Sequence, residues 1–471
     1  MTDPTTQKIA SAPEKIGGRA MQRCIATSCG GTYGLAERIY VCPQCAGPLE
    51  IEVRLGTATE AANLCNLWKS RAVSDSPQDR SGVWRFRELL PFNDIASIVT
   101  LFEGNTPLYD APRCAEYTGL ERVQLKHQGC NPTGSFKDTG MTVAVTQAVL
   151  LGARTAVCAS TGNTAASLAA YSARAGLRCA ILVPRGQITA AKLAQSMDYG
   201  ALICEIEGNF DDCMRLIQEI GGEPSIYVAN SINPFRIEGQ KTVAFELMEQ
   251  LRWRVPDHVV VPGGNLGNST ALGKGFGEML ALGLIDRVPK LSVIQAEGSA
   301  PFARLFAEME GRHSAGHEDL PDAMITEPHP STLATAIKIG APVSWKKSLR
   351  GVLRSGGRVI AVSEQEIADA KAMIGRDGIG CEPASATTVA GIRKLVAAGH
   401  MRPAESVVAV LTGHVLKDPD YVNNYHRGAL SLSGDASGRG TAQTITGAFP
   451  NTPKRVAANK AAILGLLRPR T

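Results

Sequence analysis

The sequence has 471 residues, 44% of them hydrophobic and 20% charged, a composition typical of a globular protein of about three domains. Its formal net charge is +5, from 49 basic and 44 acidic residues, and this balance argues against nucleic-acid binding. The polar start lacks the apolar core of a signal peptide and no apolar run approaches the roughly 18 residues of a membrane helix, so we expect a soluble, cytoplasmic protein without membrane or nucleic-acid partners.

The N-terminal region contains a cluster of cysteines. Residues 1–20 are polar and predict a flexible arm, and the segment 21–55 that follows holds four of the twelve cysteines. The first pair encloses four residues, the second pair encloses two, and twelve residues separate the pairs, which are Cys24 and Cys29, then Cys42 and Cys45. This is the spacing of a zinc ribbon, and it predicts a structural zinc ion held by four thiolates, with a cysteine-bearing hairpin without metal as the alternative. The other eight cysteines are scattered singly and predict buried, reduced thiols.

The rest of the chain divides by the pattern of its apolar residues. Residues 56–100 are polar with isolated aromatic side chains and predict connecting helices. From 101 to 430, short apolar strands alternate with helical stretches, a pattern that predicts an α/β region of parallel sheets covered by helices. Residues 431–471 are rich in glycine, serine and threonine and then basic, which favours a solvated or weakly docked C-terminal extension. The predicted strands include 154–159, 177–183, 202–206, 226–229, 259–261 and 407–411.

The turn at residues 131–138 places a lysine at the start of a predicted helix. That helix is expected to begin near Thr139, and the positive end of its dipole disfavours a charged Lys137. A lowered pKa would favour the neutral amine, which forms a Schiff base with a carbonyl group. Alone, such a lysine is most often an exposed surface residue, so its interpretation depends on the other motifs of the chain.

Further polar turns follow other predicted strands, where parallel sheets bind ligands. The turn 160–164 is crowded with small donors, and the glycine-rich loop 263–268 lets backbone N–H groups and a helix dipole approach an anion. That loop lacks the Lys-Ser/Thr ending of a nucleotide P-loop, so a cofactor phosphate fits better than ATP. In the turn 230–236, Arg236 and its amide and hydroxyl neighbours form a second oxyanion site. Helix capping, turn geometry or a surface ion pair would explain each motif alone, but two phosphate sites together predict a phosphorylated cofactor and a phosphorylated substrate.

This set of motifs resembles that of threonine synthase, a family of fold-type II enzymes that use pyridoxal 5'-phosphate (PLP). The resemblance runs over residues 102–420 and includes further matches at 102–108, 238–242, 336–340 and 411–414. It implies two doubly wound parallel-sheet domains of the tryptophan synthase β-like architecture, the smaller within about 135–250, and a homodimer. Thr139 stands where many bacterial members have arginine, a feature that resembles the plant-type branch. Some plant enzymes are activated by S-adenosylmethionine, but the chain has no clear motif for such an effector, which stays an open question.

The resemblance also assigns roles to individual residues. It implies that Lys137 is the catalytic residue and holds PLP, that Asn163 bonds the 3'-oxygen of the PLP ring, and that Thr412 faces its pyridine nitrogen. A neutral threonine there leaves that nitrogen largely unprotonated, which suits elimination better than transamination. The cofactor phosphate would lie in the loop of Gly263, Gly264, Asn265, Leu266 and Gly267. The phosphorylated substrate would be bound by Ser160, Thr164, Asn230, Ser231, Arg236 and Asn268.

The activity that the resemblance implies is that of a PLP-dependent carbon–oxygen lyase, which converts O-phospho-L-homoserine and water to L-threonine and phosphate by β,γ-elimination and replacement. Alternatives of the same fold are a threonine or serine dehydratase, against which Arg236 argues because their substrates carry no phosphate, and cysteate synthase, which uses phosphoserine and sulfite. A different class of protein, an RNA-binding zinc ribbon on an inactive scaffold, would need a basic and aromatic ribbon surface. The ribbon has few such residues, and the set of Lys137, Asn163 and Thr412 argues for an active enzyme.

Overall fold

The computed structural model describes residues 20–55, 58–92, 95–186, 190–313, 321–432 and 443–467. The predicted N-terminal arm, apart from Ala20, lies outside these residues. None of the helices within the described ranges is both long and apolar enough to cross a membrane. The chain begins with an antiparallel sheet in the order β2-β1-β3, formed by β1 (Ala20–Cys24), β2 (Thr32–Tyr33) and β3 (Leu49–Val53).

A connecting segment joins this sheet to the main body. It consists of α1 (Ala58–Arg71), α2 (Pro77–Arg80) and two short 3-10 helices, Trp84–Leu89 and Ile95–Ser97. The rings of Trp68 and Phe86 are fully buried, and their centroids lie 5.0 Å apart in an edge-on arrangement. The isolated aromatic side chains of this polar segment therefore anchor it to the core.

Two parallel sheets make up the main body. The chain first enters the larger sheet through β4 (Leu108–Asp110), α3 (Pro112–Thr118) and β5 (Val123–His127). It then forms the smaller sheet, which is parallel throughout in the order β8-β7-β6-β9. The elements of this part are α4 (Lys137–Leu150), β6 (Thr155–Ala159), α5 (Asn163–Ala175), β7 (Arg178–Pro184), α6 (Ala190–Asp198), β8 (Leu202–Ile206), α7 (Phe210–Ile220), β9 (Ile226–Val228) and α8 (Phe235–Gln250).

The chain then returns to the larger sheet, whose strand order is β12-β11-β10-β13-β5-β4. Only β4 runs antiparallel to its neighbour in this sheet, within the described residues. Every residue of β10 and β13 is buried, because helices cover both faces of the sheet. The remaining elements of the body are β10 (His258–Pro262), α9 (Gly267–Ala281), β11 (Lys290–Ala296), α10 (Pro301–His313), α11 (Trp345–Ser355), β12 (Val359–Val362), α12 (Glu364–Arg376), α13 (Pro383–Ala397), β13 (Val407–Leu411) and α14 (Pro419–Arg427).

The α/β class with parallel sheets predicted from the sequence is confirmed. Each predicted strand is present with its ends shifted by at most two residues, and the smaller sheet lies between residues 155 and 228. The helix expected near Thr139 begins two residues earlier, so that Lys137 is its first residue. This shift matters because it places the lysine in the first turn of α4, directly after a glycine-containing loop.

The ribbon, residues 20–55, contacts both halves of the body. On the side of the smaller sheet, Arg38 Nη1 donates to the carbonyl oxygen of Ile226 at 3.2 Å. On the side of the larger sheet, Lys347 Nζ donates to the carbonyl oxygen of Leu49 at 3.0 Å. The ribbon therefore contacts the parts of the body that surround both sheets.

The C-terminal extension is partly docked. A short hairpin of β14 (Ser431–Leu432) and β15 (Gln443–Thr444) leads to Ile445, which is fully buried against α14. Phe449 packs against the body a few residues later, whereas α15 (Lys460–Leu467) has no buried residue. Residues 443–449 are therefore weakly docked, because Ile445 is buried and Phe449 is half-buried in a segment that is otherwise mostly exposed.

Candidate active site

The turn that carries Lys137 is held on both sides. Phe136 N donates to the carbonyl oxygen of Thr412 at 2.9 Å, and so the turn is tied to the end of β13. Asp138, which is fully buried, accepts hydrogen bonds from Thr133 N at 2.7 Å and from Ser167 Oγ at 2.6 Å. Because the residues before and after Lys137 are both fixed, the backbone at Lys137 has little freedom to move.

The pKa of the Lys137 amine lies near neutral pH. Burial and, to a smaller extent, the cation of Arg236 lower this pKa to about 7, while the carboxylate of Glu382 opposes the shift. No carboxylate pairs with the amine within the described residues, and its Nζ lies 3.7 Å from the centroid of the Phe136 ring. The lowered pKa was expected from the sequence, but its main cause is burial and not the helix dipole. At neutral pH a large fraction of the side chain is therefore the nucleophilic free amine.

Glu382 is a site residue that the sequence analysis missed. Its side chain is 2% exposed, and it accepts hydrogen bonds from Asn163 Nδ2 and from Thr412 Oγ1, each at 2.9 Å. Glu382 N also donates to the carbonyl oxygen of Gly413 at 3.0 Å. Asn163 and Thr412, the two residues expected to contact a pyridine ring, thus both bond one buried carboxylate. The available signal was a carboxylate before a proline that begins a helix, which is also an ordinary helix start.

The loop between β10 and α9 forms a backbone cradle. Leu266 adopts a left-handed conformation with φ of 64°, and α9 begins directly after it. A Cβ atom at Gly263 would lie 2.7 Å from a side-chain carbon of Val293, so this position requires glycine. Both polar atoms of the Asn268 amide are buried and have no partner among the described residues. Free backbone N–H groups at a helix start, next to an unsatisfied amide, provide donors for an anion.

Asn265 and Gly264 support this cradle from the other side. The carbonyl oxygen of Asn265 accepts from Ser344 N at 3.2 Å, and its side-chain oxygen accepts from Val343 N at 3.4 Å. These contacts fix the loop to the segment before α11. The amide of Asn265 is therefore occupied in holding the loop, while the groups that face an anion belong to the backbone and to Asn268.

Arg236 is buried without a counter-charge. Its side chain is 3% exposed, Nη1 donates to the carbonyl oxygen of Ala229 at 3.1 Å, and Nε has no partner among the described residues. No carboxylate lies within ion-pair distance of it in the described part of the chain, and burial lowers its pKa to about 10. A buried cation without a partner is costly, so the arrangement favours binding of an anion at this point.

Close helix packing brings Arg236 towards Lys137. A Cβ atom at Gly239 would lie 1.8 Å from the carbonyl oxygen of Thr139, so α8 can approach α4 this closely only with glycine there. Arg236 lies one turn before Gly239 on α8, and Lys137 lies at the start of α4. Arg236 is therefore close enough to Lys137 for its positive charge to lower the pKa of the lysine amine.

The other substrate residues predicted from the sequence occupy neighbouring turns. Ser160, Thr164 and Ser231 are half-buried there. Asn230 differs, because its amide bonds both the N–H and the carbonyl oxygen of Ala159, each at 3.1 Å. Its side chain ties two turns together and has little capacity left for a ligand.

Comparison with known proteins places this geometry in a family. A family model described as pyridoxal-phosphate dependent enzyme matches residues 99–413. The chain is 45% identical to the threonine synthase of Methanocaldococcus jannaschii over 401 residues, which are 85% of this chain and 93% of that protein. It is 46% identical to the threonine synthase of Mycobacterium leprae over 339 residues, 71% of this chain and 88% of the relative. The chain belongs to the threonine synthase family of PLP-dependent enzymes.

Solved structures share the fold of this threonine synthase family member at lower identity. A threonine deaminase from Solanum lycopersicum matches with a TM-score of 0.56 and 16% identity, over 76% of this chain and 85% of that one. An L-serine ammonia-lyase from Rhizomucor miehei matches with a TM-score of 0.56 and 22% identity, over 69% of this chain and 99% of that one. At this identity the likeness concerns the fold alone.

The site of the threonine synthase family member fits PLP. The cofactor needs an amine for its aldehyde, donors for its phosphate and hydrogen-bonding groups at its ring. Lys137 has the amine with a pKa of about 7, and the loop before α9 has free N–H groups and the unsatisfied amide of Asn268. Asn163 and Thr412 have the kind of polar side chain that a ring of this sort requires, and both bond Glu382.

The pKa of Lys137 predicts how the cofactor-free protein takes up PLP. Capture of the aldehyde needs the neutral amine, so the rate should rise as the pH passes about 7 and level off above it. The increase in visible absorbance after PLP is added measures this rate across the pH range. A rate that keeps climbing towards pH 10, the ordinary range of lysine, would contradict the lowered pKa.

Replacing Glu382 with glutamine should disturb the ring end of the site. The carboxylate accepts from both Asn163 and Thr412, whereas an amide has one acceptor and one donor, so both charge-assisted hydrogen bonds are weakened and one of them must reverse its direction or be lost. We expect kcat to fall by about 10- to 100-fold and the visible spectrum of the bound cofactor to shift. Glu121→Gln, at an exposed position, serves as the matched control. An unchanged spectrum together with an unchanged kcat would show that Glu382 does not act on the cofactor.

Proposed function

We propose that this chain is a threonine synthase that converts O-phospho-L-homoserine and water to L-threonine and phosphate. The observation that carries the substrate assignment is the buried Arg236, which has no carboxylate partner in the described residues and acts on the charge of Lys137. A free cation at that point suits an amino-acid substrate that carries a phosphate group. The family relationship supports the same activity and does not favour the dehydratase or cysteate synthase alternatives.

The cofactor-binding residues form part of the proposal. Lys137 would hold PLP through its amine, Asn163 would bond the 3'-oxygen and Thr412 would face the ring nitrogen. Glu382 would lie beside both, where its carboxylate orients their side chains. The phosphate of the cofactor would bind the backbone cradle of Gly263, Gly264, Asn265, Leu266 and Gly267.

The residues of the chain then divide the chemistry between them. Bound PLP supplies the ring that accepts electron density from the substrate carbon atoms. Lys137 Nζ takes a proton from Cα and then one from Cβ, and a proton is returned to Cγ once phosphate has left, so that Cγ becomes the methyl group of threonine. Arg236, with the hydroxyl groups of Ser160 and Thr164, stabilises the charge that develops on the leaving phosphate. Water then adds at Cβ, and reprotonation at Cα completes L-threonine.

The test is a single assay with two products. Purified, PLP-loaded protein is incubated with O-phosphohomoserine, and phosphate and threonine are measured together. Equimolar amounts are expected. Phosphoserine with sulfite serves as the comparison, and product from that pair alone would replace the assignment with cysteate synthase.

The four ribbon cysteines are proposed to bind a structural zinc ion. The ligand atoms of Cys24, Cys29, Cys42 and Cys45 all lie within 4.8 Å of one another. The Sγ atoms of Cys24 and Cys45 are 3.4 Å apart, and those of Cys29 and Cys42 are 3.6 Å apart. Such separations suit four thiolates around one tetrahedral ion with bonds of about 2.3 Å.

Loss of one ligand should remove the metal and loosen the ribbon. We expect Cys42→Ser to lower the zinc content from about one ion per chain to nearly none and to lower the thermal midpoint by several degrees, because metal binding stabilises the folded ribbon. Metal analysis and thermal unfolding of reduced protein measure both effects. Cys65→Ser, outside the cluster, is the control. Wild-type protein purified without chelators that contains no zinc would refute the proposal.

Three further properties are proposed on the family resemblance. We infer a homodimer, which size-exclusion chromatography with light scattering would detect, and a cytoplasmic location. S-adenosylmethionine is a candidate effector, tested by adding it to the threonine assay. A monomer at assay concentrations, or a rate independent of S-adenosylmethionine, would remove the corresponding property.

A further inference from the structure

A cavity lies next to the chain segment that carries Glu382. Its volume is about 440 Å³, and it is bounded by α12, α14 and the docked part of the C-terminal extension. Its walls are largely apolar or aromatic, with contributions from Ile379, Val415, Val422, Tyr425 and Phe449. This volume falls within the range of small-molecule sites in proteins, and none of the chemistry proposed above uses it.

Two polar groups of the cavity wall have no partner. Lys371 makes no ion pair or hydrogen bond with any described residue. Tyr421 is 7% exposed, and its buried hydroxyl likewise has no partner in the described part of the chain. Burial lowers the pKa of Lys371, while Cys381 and Asp418 oppose the shift. A half-buried cation and an unsatisfied hydroxyl that line the same cavity form an arrangement that a bound anion would stabilise.

The charged residues around the cavity also favour an anionic ligand. Among the described residues, none of those that line it is acidic. The nearby carboxylate of Asp369 is already engaged, because it accepts from Tyr425 Oη at 2.8 Å and from Ala448 N at 2.9 Å. The guanidinium of Arg376 lies over the Phe449 ring, 4.6 Å from its centroid, and adds a second positive charge. The described lining residues therefore offer no carboxylate to pair with an ammonium group of a ligand.

We propose that this cavity binds a small organic carboxylate with an apolar body and no amine, with Lys371 Nζ and Tyr421 Oη as its polar anchors. The carboxylate satisfies both groups, and the apolar body fills the volume between the aromatic walls. An inorganic anion would leave most of that volume unfilled, and a neutral apolar compound would leave the cation unpaired.

The position of the cavity gives its ligand a route to the active site. Gly380 and Cys381 form part of the wall, and the next residue in the chain is Glu382. The backbone of Cys381 also pairs with that of His414, two residues after Thr412, in an isolated antiparallel β-bridge. A ligand in the cavity therefore contacts the segment that positions the Glu382 carboxylate, and we assign it the role of an effector. The kinetic part of this inference rests on the proposed threonine synthase activity, whereas the binding part does not.

Calorimetry on the PLP-loaded protein tests binding, with benzoate as the probe. Benzyl alcohol has the same ring without the charge, and inorganic phosphate has the charge without the ring. We expect saturable binding of benzoate, weaker binding of both controls, and a loss of benzoate affinity of about tenfold in Lys371→Met and severalfold in Tyr421→Phe. Both substitutions keep the shape of the side chain and remove only a buried polar group, so the fold should be retained.

Three results would overturn the inference. The first is no benzoate binding to the wild-type protein, and the second is benzoate affinity that Lys371→Met leaves unchanged, which would place the benzoate elsewhere, for example at Arg236. The third concerns the effector role. We expect benzoate to change kcat or KM, with half of the effect at the Kd measured by calorimetry, and we expect Lys371→Met to abolish this change. Binding without any kinetic change would refute the role. A chain without threonine synthase activity would still give the calorimetric result, so the two failures can be told apart.

Discussion

Lys137→Ala is expected to abolish the formation of threonine and the visible absorbance of the bound cofactor together. The variant lacks both the amine that would hold PLP and the base that would move protons at Cα and Cβ, and general acid–base catalysis alone contributes about 10²- to 10⁴-fold. We therefore expect kcat to fall by at least about 10³-fold. Phosphate release and the absorbance spectrum of the purified variant, each after incubation with PLP, measure the two effects.

The controls for this substitution separate chemistry from folding. Lys69→Ala removes an exposed lysine of α1 and should retain full activity. Burial of the Lys137 amine disfavours its charged form, so the thermal midpoint of the cofactor-free variant should not fall when the amine is removed. Retention of threonine formation by folded, PLP-treated Lys137→Ala would refute the proposed mechanism.

Arg236→Leu should have the second largest effect. Its guanidinium is the group proposed to bind the substrate phosphate and to stabilise it as it leaves, and loss of one such buried electrostatic contact costs about 10²- to 10³-fold. We expect kcat/KM for O-phosphohomoserine to fall by that factor. Arg215→Leu, which removes an exposed arginine of α7, should leave kcat/KM unchanged.

Stability gives an independent readout for Arg236. Because the side chain is 3% exposed and has no carboxylate partner among the described residues, its replacement by leucine should maintain or raise the thermal midpoint of the free protein. Inorganic phosphate should stabilise the wild type more than the variant. A lower midpoint combined with an unchanged KM would mean that Arg236 supports the fold and does not bind substrate.

The sequence predicts the parallel sheets and much of the site because both depend on local pattern. Lys137 follows a strand of the larger sheet and Arg236 a strand of the smaller one, each in a turn that leads into a helix, which is where parallel sheets bind ligands. Glu382 could not be found in this way. Its partners Asn163 and Thr412 are 219 and 30 residues away in the chain. The local pattern of apolar and polar residues gives no information about contacts between elements so far apart.

The same limit explains the other differences between prediction and structure. The sequence identifies Asn230 as a polar group in a polar turn, but only the fold shows that both ends of its amide bond Ala159. In the C-terminal extension, the average composition is polar and does not reveal that two apolar side chains, Ile445 and Phe449, pack against the body. The pKa of Lys137 was expected to be low because of the helix it begins, while the surrounding protein accounts for most of the shift.

The position of the ribbon has a consequence for the order in which the molecule assembles. The ribbon is the first described part of the chain to leave the ribosome, yet Arg38 and Ile226 are 188 residues apart and Leu49 and Lys347 are 298 residues apart. Contacts this distant in sequence form late, because the intervening chain must be synthesised and must close a large loop first. The ribbon can therefore dock fully only after α11 has been made, because its contacts require residues from both halves of the body.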